Sequence, residues 1–103
     1  MIVFVDIDET ICKTPPSRDY KESIPILENI KKINLLYDKG HEIVYWTARG
    51  SGTGLDWRET TEKQFKKWNV KHHELRLGKP VYDLFIDDKN INAEAFFKTA
   101  GLY

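Results

Sequence analysis

Asp6 and Asp8, placed directly after the apolar run Ile2-Val3-Phe4-Val5, are the first residues of the chain whose type and spacing bear on chemistry. Two steps along an extended chain return a side chain to the same side, so the two carboxylates face one point. A second acidic pair, Asp87-Asp88, follows Leu84-Phe85-Ile86, and Thr47 follows Ile43-Val44-Tyr45-Trp46. Lys79 stands between Gly78 and Pro80, shortly before that second pair. Carboxylates gathered at one place repel, and burial forces some of them to take up protons. A hard divalent cation removes the difficulty, and Mg²⁺ takes one or two carboxylates together with waters and phosphate oxygens. A solvated acidic rim without metal is the plainer alternative.

Such groups act together only if secondary structure brings them together. Ile2–Val5 is short, continuous and rich in β-branched residues, which reads as a strand buried on both faces. Residues 13–22, with Pro15, Pro16 and Ser17, read as a loop or small flap. From Ile24 to Lys39 the residues Ile26, Ile30, Ile33 and Tyr37 recur at helical spacing, and Gly40 is a natural stop. A strand over Ile43–Trp46 is followed by a glycine-rich loop, residues 48–54. Asp56 with Glu59 has the form of a capping box, opening a helix to about Trp68 with Phe65 and Trp68 turned inward. Short strands are expected at Leu75–Leu77 and, more clearly, at Leu84–Ile86, with a last helix from about Ala93 to Thr99. This alternation predicts a Rossmann-like, three-layer α/β fold with a doubly wound, mainly parallel sheet. Ligands of such sheets bind beyond the carboxyl ends of the strands, and right-handed crossovers bring those ends to one edge. Asp6-Asp8, Thr47 and Asp87-Asp88 therefore converge.

The chain has 103 residues and no visible internal boundary, which fits one domain over residues 1–103. Its 16 basic and 16 acidic residues cancel, whereas a nucleic-acid binder carries a basic surplus. A nucleic-acid partner is therefore not expected. Cys12 is the one cysteine; with no thiol base beside it in sequence, it reads as a small buried residue. Asp6 and Asp8 interrupt the apolar N-terminus, so no leader is read there, and no run approaches the roughly 18 apolar residues of a membrane span. The expected location is cytoplasmic.

The ordered set Asp6-Ile7-Asp8-Glu9-Thr10, Thr47, Lys79 and Asp87-Asp88, each acidic or Thr motif after its strand, resembles the phosphatase branch of the haloacid dehalogenase (HAD) superfamily. The resemblance runs from residue 2 to residue 88. It implies that Asp6 is the nucleophile that forms an aspartyl-phosphate, and that Asp8 is the general acid and then the base that activates water. It implies further that Thr47 hydrogen-bonds a phosphoryl oxygen and that Lys79 stabilises charge on the phosphoryl group and on Asp6. Mg²⁺ would be held by Asp6, the Asp8 backbone carbonyl and Asp87, with Asp88 acting through water. A narrower likeness, carried by Thr47-Ala48-Arg49, Gly78-Lys79-Pro80 and Ile86-Asp87-Asp88-Lys89, is to small bacterial phosphatases of capsule or polysaccharide biosynthesis. It implies a sugar phosphate as substrate, with Ala48 and Arg49 beside it. Glu9 stands where many members carry Gly. The stretch between Thr10 and Thr47 is too short for a cap domain, so the site is expected to be open unless a second copy of the chain covers it.

Arg49-Gly50-Ser51-Gly52-Thr53-Gly54 could bind phosphate through its amides, or bring Arg49 to the leaving group; it lacks the Gly-Lys-Ser/Thr ending of a P-loop. His72-His73 lack a third ligand at metal spacing and read as surface residues. Trp46, Trp57 and Trp68 read as packing, with stacking of Trp57 on a sugar or base as the alternative. Three competing functions stay open: a polynucleotide end phosphatase, a receiver-type signalling domain that holds a phosphoryl group, and a degenerate relative that binds without turnover.

Overall fold

A computed structural model of the chain describes residues 1–99. The elements in order are β1 (Ile2–Val5), β2 (Cys12–Lys13), a 3-10 turn (Tyr20–Glu22), β3 (Ile24–Pro25), α1 (Leu27–Asp38), β4 (Glu42–Trp46), α2 (Arg58–Lys67), β5 (Glu74–Arg76) and α3 (Ala93–Phe97). β1, β4 and β5 form a parallel sheet in the order β1-β4-β5, while β2 and β3 make a small antiparallel ribbon. The protein is thus a small α/β fold with a three-stranded parallel sheet.

Register decides what the sheet buries. Val5 pairs with Tyr45, and Tyr45 with Leu75, so these residues share a face with Val3 and Ile43. Both crossovers advance in the same direction along the sheet, and right-handed connections then put α1 and α2 on one side. Ile30, Ile33 and Leu36 of α1 and Phe65 of α2 join Val5, Ile43, Tyr45 and Leu75 in one buried cluster. The Phe65 ring meets that of Tyr45 edge-on at 4.9 Å. On the other face Val44 is buried, but Ile2 and Phe4 are 68% and 49% exposed, and Glu74 and Arg76 lie in solvent. β1 is therefore covered on one face and not on both, as its composition had predicted.

α1 begins later than its apolar periodicity predicts, whereas α3 begins at Ala93 as expected. Ile24 and Pro25 pair with Lys13 and Cys12 instead of entering α1; proline has no N–H to donate to a helix ladder. The Ile26 amide then donates to the Ile11 carbonyl, and the helix starts at Leu27. Gly40 closes α1 at φ 95°, with the His41 amide reaching back to the Leu36 carbonyl. At α2 the expected capping box does not form: the N-cap is Trp57, without a side-chain cap, the Asp56 carboxylate accepts from the Arg58 amide at 3.0 Å, and Glu59 pairs with Lys63 at 3.0 Å.

The largest departure lies at Leu84–Ile86, which forms no strand. Leu84 and Ile86 are 75% and 86% exposed, and among the described residues the outer edge of β1 has no partner strand. Leu84 and Phe85 instead line a groove of about 1050 Å³ that runs along β1 past Asp6 and Asp8 to Asp87.

Tyr45 carries a buried flaw. It is fully buried, and its hydroxyl finds no hydrogen-bond partner among the described residues. An unsatisfied buried hydroxyl costs about 1–3 kcal/mol. Tyr45→Phe is therefore expected to raise stability by about 1 kcal/mol, read as a melting temperature higher by about 4–8 °C. A lower melting temperature would mean that the hydroxyl has a partner after all.

Candidate active site

The carboxyl ends of β1 and β4 hold the reactive residues side by side. Asp6 follows β1 directly, and the chain then turns, with the Thr10 and Ile11 amides both donating to the Ile7 carbonyl. Glu9 sits at φ 60° in this turn, a left-handed conformation that glycine adopts more easily. Its carboxylate accepts from the Thr14 amide at 3.1 Å and from Arg18 at 3.0 Å, which offsets the cost.

Lys79 is brought in by the backbone: its amide donates to the Thr47 carbonyl at 3.0 Å, and Ser51 Oγ donates to its carbonyl at 2.8 Å. Lys79 Nζ lies 3.7 Å from Asp6 Oδ1, and also faces the rings of Trp46 and Tyr82. Burial pushes the Asp6 carboxyl above its ordinary range, and the Lys79 charge and the Ile7 amide pull it back. Asp6 is thus a carboxylate with one cation and an open side, 41% exposed at the mouth of the cleft.

Asp8 is held differently. Its Oδ1 accepts from Arg49 Nη2 at 2.9 Å, from the Cys12 thiol at 3.5 Å and from the Thr14 hydroxyl; Oδ2 accepts from Arg49 Nε at 3.1 Å. The sequence had placed Arg49 beside the substrate. In the structure Arg49 lines the cleft, with its guanidinium fully shielded from solvent and turned onto Asp8, where acceptors on α2 draw it inward. Thr47 is buried, and its Oγ1 accepts from the Arg49 amide at 3.1 Å, which leaves its own proton free to donate. Ala48 lines the cleft.

The cleft, about 640 Å³, runs from Asp6, Asp8 and Lys79 between the flap residues Ser17, Arg18 and Tyr20 and the wall formed by Trp57 and Tyr82. The Trp57 ring meets Tyr20 edge-on at 4.9 Å. The glycine-rich loop spends its amides on itself: Ser51 donates to Ala48, and Thr53 and Gly54 to Gly50. Gly50 has φ 83°, and a Cβ there would stand 2.0 Å from the Leu55 carbonyl oxygen, so only glycine fits.

Asp87 and Asp88 do not join Asp6 and Asp8 in a cluster; among the described residues no three His, Cys, Asp or Glu side chains come together as a cation site. They contact each other, and their shared hydrogen bond lowers the Asp87 carboxyl and raises that of Asp88. Repulsion among four gathered carboxylates is therefore not what this arrangement presents, since Asp6 has Lys79 and Asp8 has Arg49. The donors are hard oxygens of the kind Mg²⁺ takes, but as placed they do not fit one ion. Asp87 does line the same groove as Asp6 and Asp8.

Cys12 is fully buried, and desolvation, aided by the Asp8 charge, pushes its thiol up to about 11; it is packing with a weak donor. His73 stacks on Tyr37 at 4.6 Å and exchanges hydrogen bonds with the Ile43 backbone. Sequence reading missed Thr14, Ser23, Thr61 and Gln64, the polar shell around Asp8 and Arg49; no spacing signal links them.

The fold and site define an α/β protein with a parallel sheet and a two-carboxylate cleft at the carboxyl ends of its strands. A crystal structure of a structural-genomics target from Vibrio cholerae is similar to it over 96% of this chain and 89% of that chain, with a TM-score of 0.83 and 25% sequence identity. No protein-family model matches the chain, and no curated protein matches it. No helix among the described residues is long and apolar enough to cross a membrane.

Proposed function

We propose that the protein is a phosphomonoester hydrolase of the HAD type, working through an aspartyl-phosphate on Asp6. The observation that carries this reading is the unequal treatment of two neighbouring carboxylates: Asp6 is open and faces a cation, whereas Asp8 is clamped beside it. A nucleophile must be open to the substrate, and a proton-transfer group must be held in a fixed position within reach of it. Asp6 attacks phosphorus, and Asp8 gives a proton to the departing oxygen. Asp8 then takes a proton from the water that cleaves the acyl-phosphate, returning Asp6. Lys79 balances charge on the phosphoryl group, and the Thr47 hydroxyl donates to one of its oxygens.

The reading includes a finer fold, a doubly wound sheet in which Leu84–Ile86 pairs with the open edge of β1. That closure carries Asp87 toward Asp6 and the Asp8 carbonyl, the set that would hold Mg²⁺, with Asp88 acting through water. A bound Mg²⁺ would supply positive charge against the phosphoryl oxygens. Residues 11–26 carry only β2, β3 and one 3-10 turn, which supports an uncapped site, open or covered by a second copy. The cleft, about 640 Å³ and lined by polar and aromatic residues, suits a small ester such as a sugar phosphate of polysaccharide synthesis in the cytoplasm.

Turnover of an aryl phosphate is expected to need added Mg²⁺ and to stop with chelator. Among natural esters, sugar phosphates are expected to outrun a 3′-phosphorylated oligonucleotide by about tenfold or more in kcat/KM, equivalent to about 1.4 kcal/mol. The opposite order would move the function to nucleic-acid ends. A stable phosphorylated form without turnover would move it to signalling.

A further inference from the structure

Arg49 is the most completely enclosed charge among the described residues, and it sits against a proposed acid–base group in the wall of the cleft, with its guanidinium shielded from solvent. Burying a guanidinium is costly unless each N–H finds an acceptor. Here each nitrogen has partners. Nε donates to Asp8 Oδ2 at 3.1 Å and Nη2 to Asp8 Oδ1 at 2.9 Å, with Ser23 Oγ at 3.4 Å. Nη1 donates to Thr61 Oγ1 at 3.0 Å and to Gln64 Oε1 at 2.6 Å. The Tyr20 ring covers the guanidinium plane at 4.8 Å. The fork is thus locked from α2 on one side and from the flap on the other, and its free edge meets the carboxylate of Asp8.

We infer that Arg49 is the positioning residue that fixes the Asp8 carboxylate for proton transfer; this rests on the reading of Asp8 as the acid and base of a phosphatase. The geometry separates the two oxygens. Oδ1 is occupied by Arg49 Nη2, Thr14 and Cys12 and shares Arg49 Nε at 3.3 Å, whereas Oδ2 takes only Arg49 Nε, at 3.1 Å. Oδ2 therefore keeps the lone pair that exchanges a proton with the leaving oxygen, and the two-point grip of the guanidinium stops the carboxylate from rotating that lone pair away. A lysine supplies the charge but only one point of attachment, so it cannot fix the plane.

The leaving group reads this role directly. A departing phenolate of low pKa needs no proton, whereas an alkoxide does, and kcat/KM reports the step in which it departs. For Arg49→Lys, kcat/KM is expected to change by less than about threefold on a nitrophenyl phosphate and to fall about a hundredfold on an alkyl phosphate, within the range of a general acid's contribution. Thr61→Val keeps the shape of a fully buried side chain, and removes both the acceptor on the far side of the fork and the hydroxyl's own hydrogen bond to the Trp57 carbonyl. It is expected to steepen the same dependence by about three- to tenfold, and it carries the test if Arg49→Lys fails to fold by circular dichroism. An equal loss on both esters, or no loss, overturns the inference, because a residue that only supports the fold lowers all substrates alike. If parent turnover does not depend on Asp6, the phosphatase reading falls and takes this role with it. An Asp6-dependent parent with a flat response in both variants removes the role of Arg49 alone.

Discussion

Asp6→Asn is expected to reduce hydrolysis of an aryl phosphate by about 10⁴-fold or more, with the protein still folded. The size follows from what the carboxylate does. Loss of a covalent nucleophile leaves only binding and electrostatic stabilisation, and such losses run to about 10⁴–10⁶ in kcat. Asparagine keeps the shape of the side chain and loses only the attacking oxygen's charge. Asp6 is 41% exposed and makes one ion pair, at 3.7 Å, with Lys79. A partly exposed pair contributes little to stability, and removing a carboxylate that burial disfavours returns part of that. The melting temperature is therefore expected to hold while turnover disappears. Asp8→Asn should behave differently, losing most on esters with poor leaving groups. Full activity in Asp6→Asn would sink the aspartyl-phosphate reading, and with it the roles given to Asp8, Thr47 and Lys79.

The positions of Asp6, Asp8, Thr47 and Lys79 were legible in the sequence because each is tied to an element whose signal is local. Two carboxylates two residues apart after a strand, and a Thr at the end of another, need only the parallel register of β1 with β4 to meet. Lys79 is fixed by one backbone hydrogen bond to Thr47. Arg49 was not legible. It follows Thr47 in a loop whose course a sequence does not give, and its direction is decided by Thr61 and Gln64, acceptors on α2. The start of α1 failed for a related reason: Ile24 and Ile26 have helical spacing, but a tertiary partner, β2, claims Ile24 and Pro25 first. The covering of β1 was misjudged because an apolar run states that a strand can be buried on both faces, and leaves open what covers the second.

That second face gives the other large expected effect. Ile86→Asp is expected to lower stability by about 2–4 kcal/mol and to abolish Mg²⁺-dependent turnover, although Ile86 is 86% exposed in the arrangement described. A polar change at a residue that stays exposed shifts stability by no more than about 0.5 kcal/mol. The larger figure follows if Leu84–Ile86 closes on β1 as a fourth parallel strand, since the variant then buries an unpaired charge. Two features favour closure. Ile2, Phe4, Leu84 and Phe85 expose apolar side chains along one groove, Ile86 is left exposed next to them in the chain, and burying a Leu or Ile contributes about 1.5–3 kcal/mol each. The outer edge of β1 also offers backbone donors and acceptors that a strand would satisfy. Leu27→Asp is the control: Leu27 is 64% exposed at the start of α1, where a carboxylate suits the helix dipole, and stability should stay within about 0.5 kcal/mol of the parent. Equal, small effects from both variants would show that the segment stays undocked. The chemistry of Asp6 and Asp8 would then have to proceed without Asp87, whose reach to the site depends on that strand.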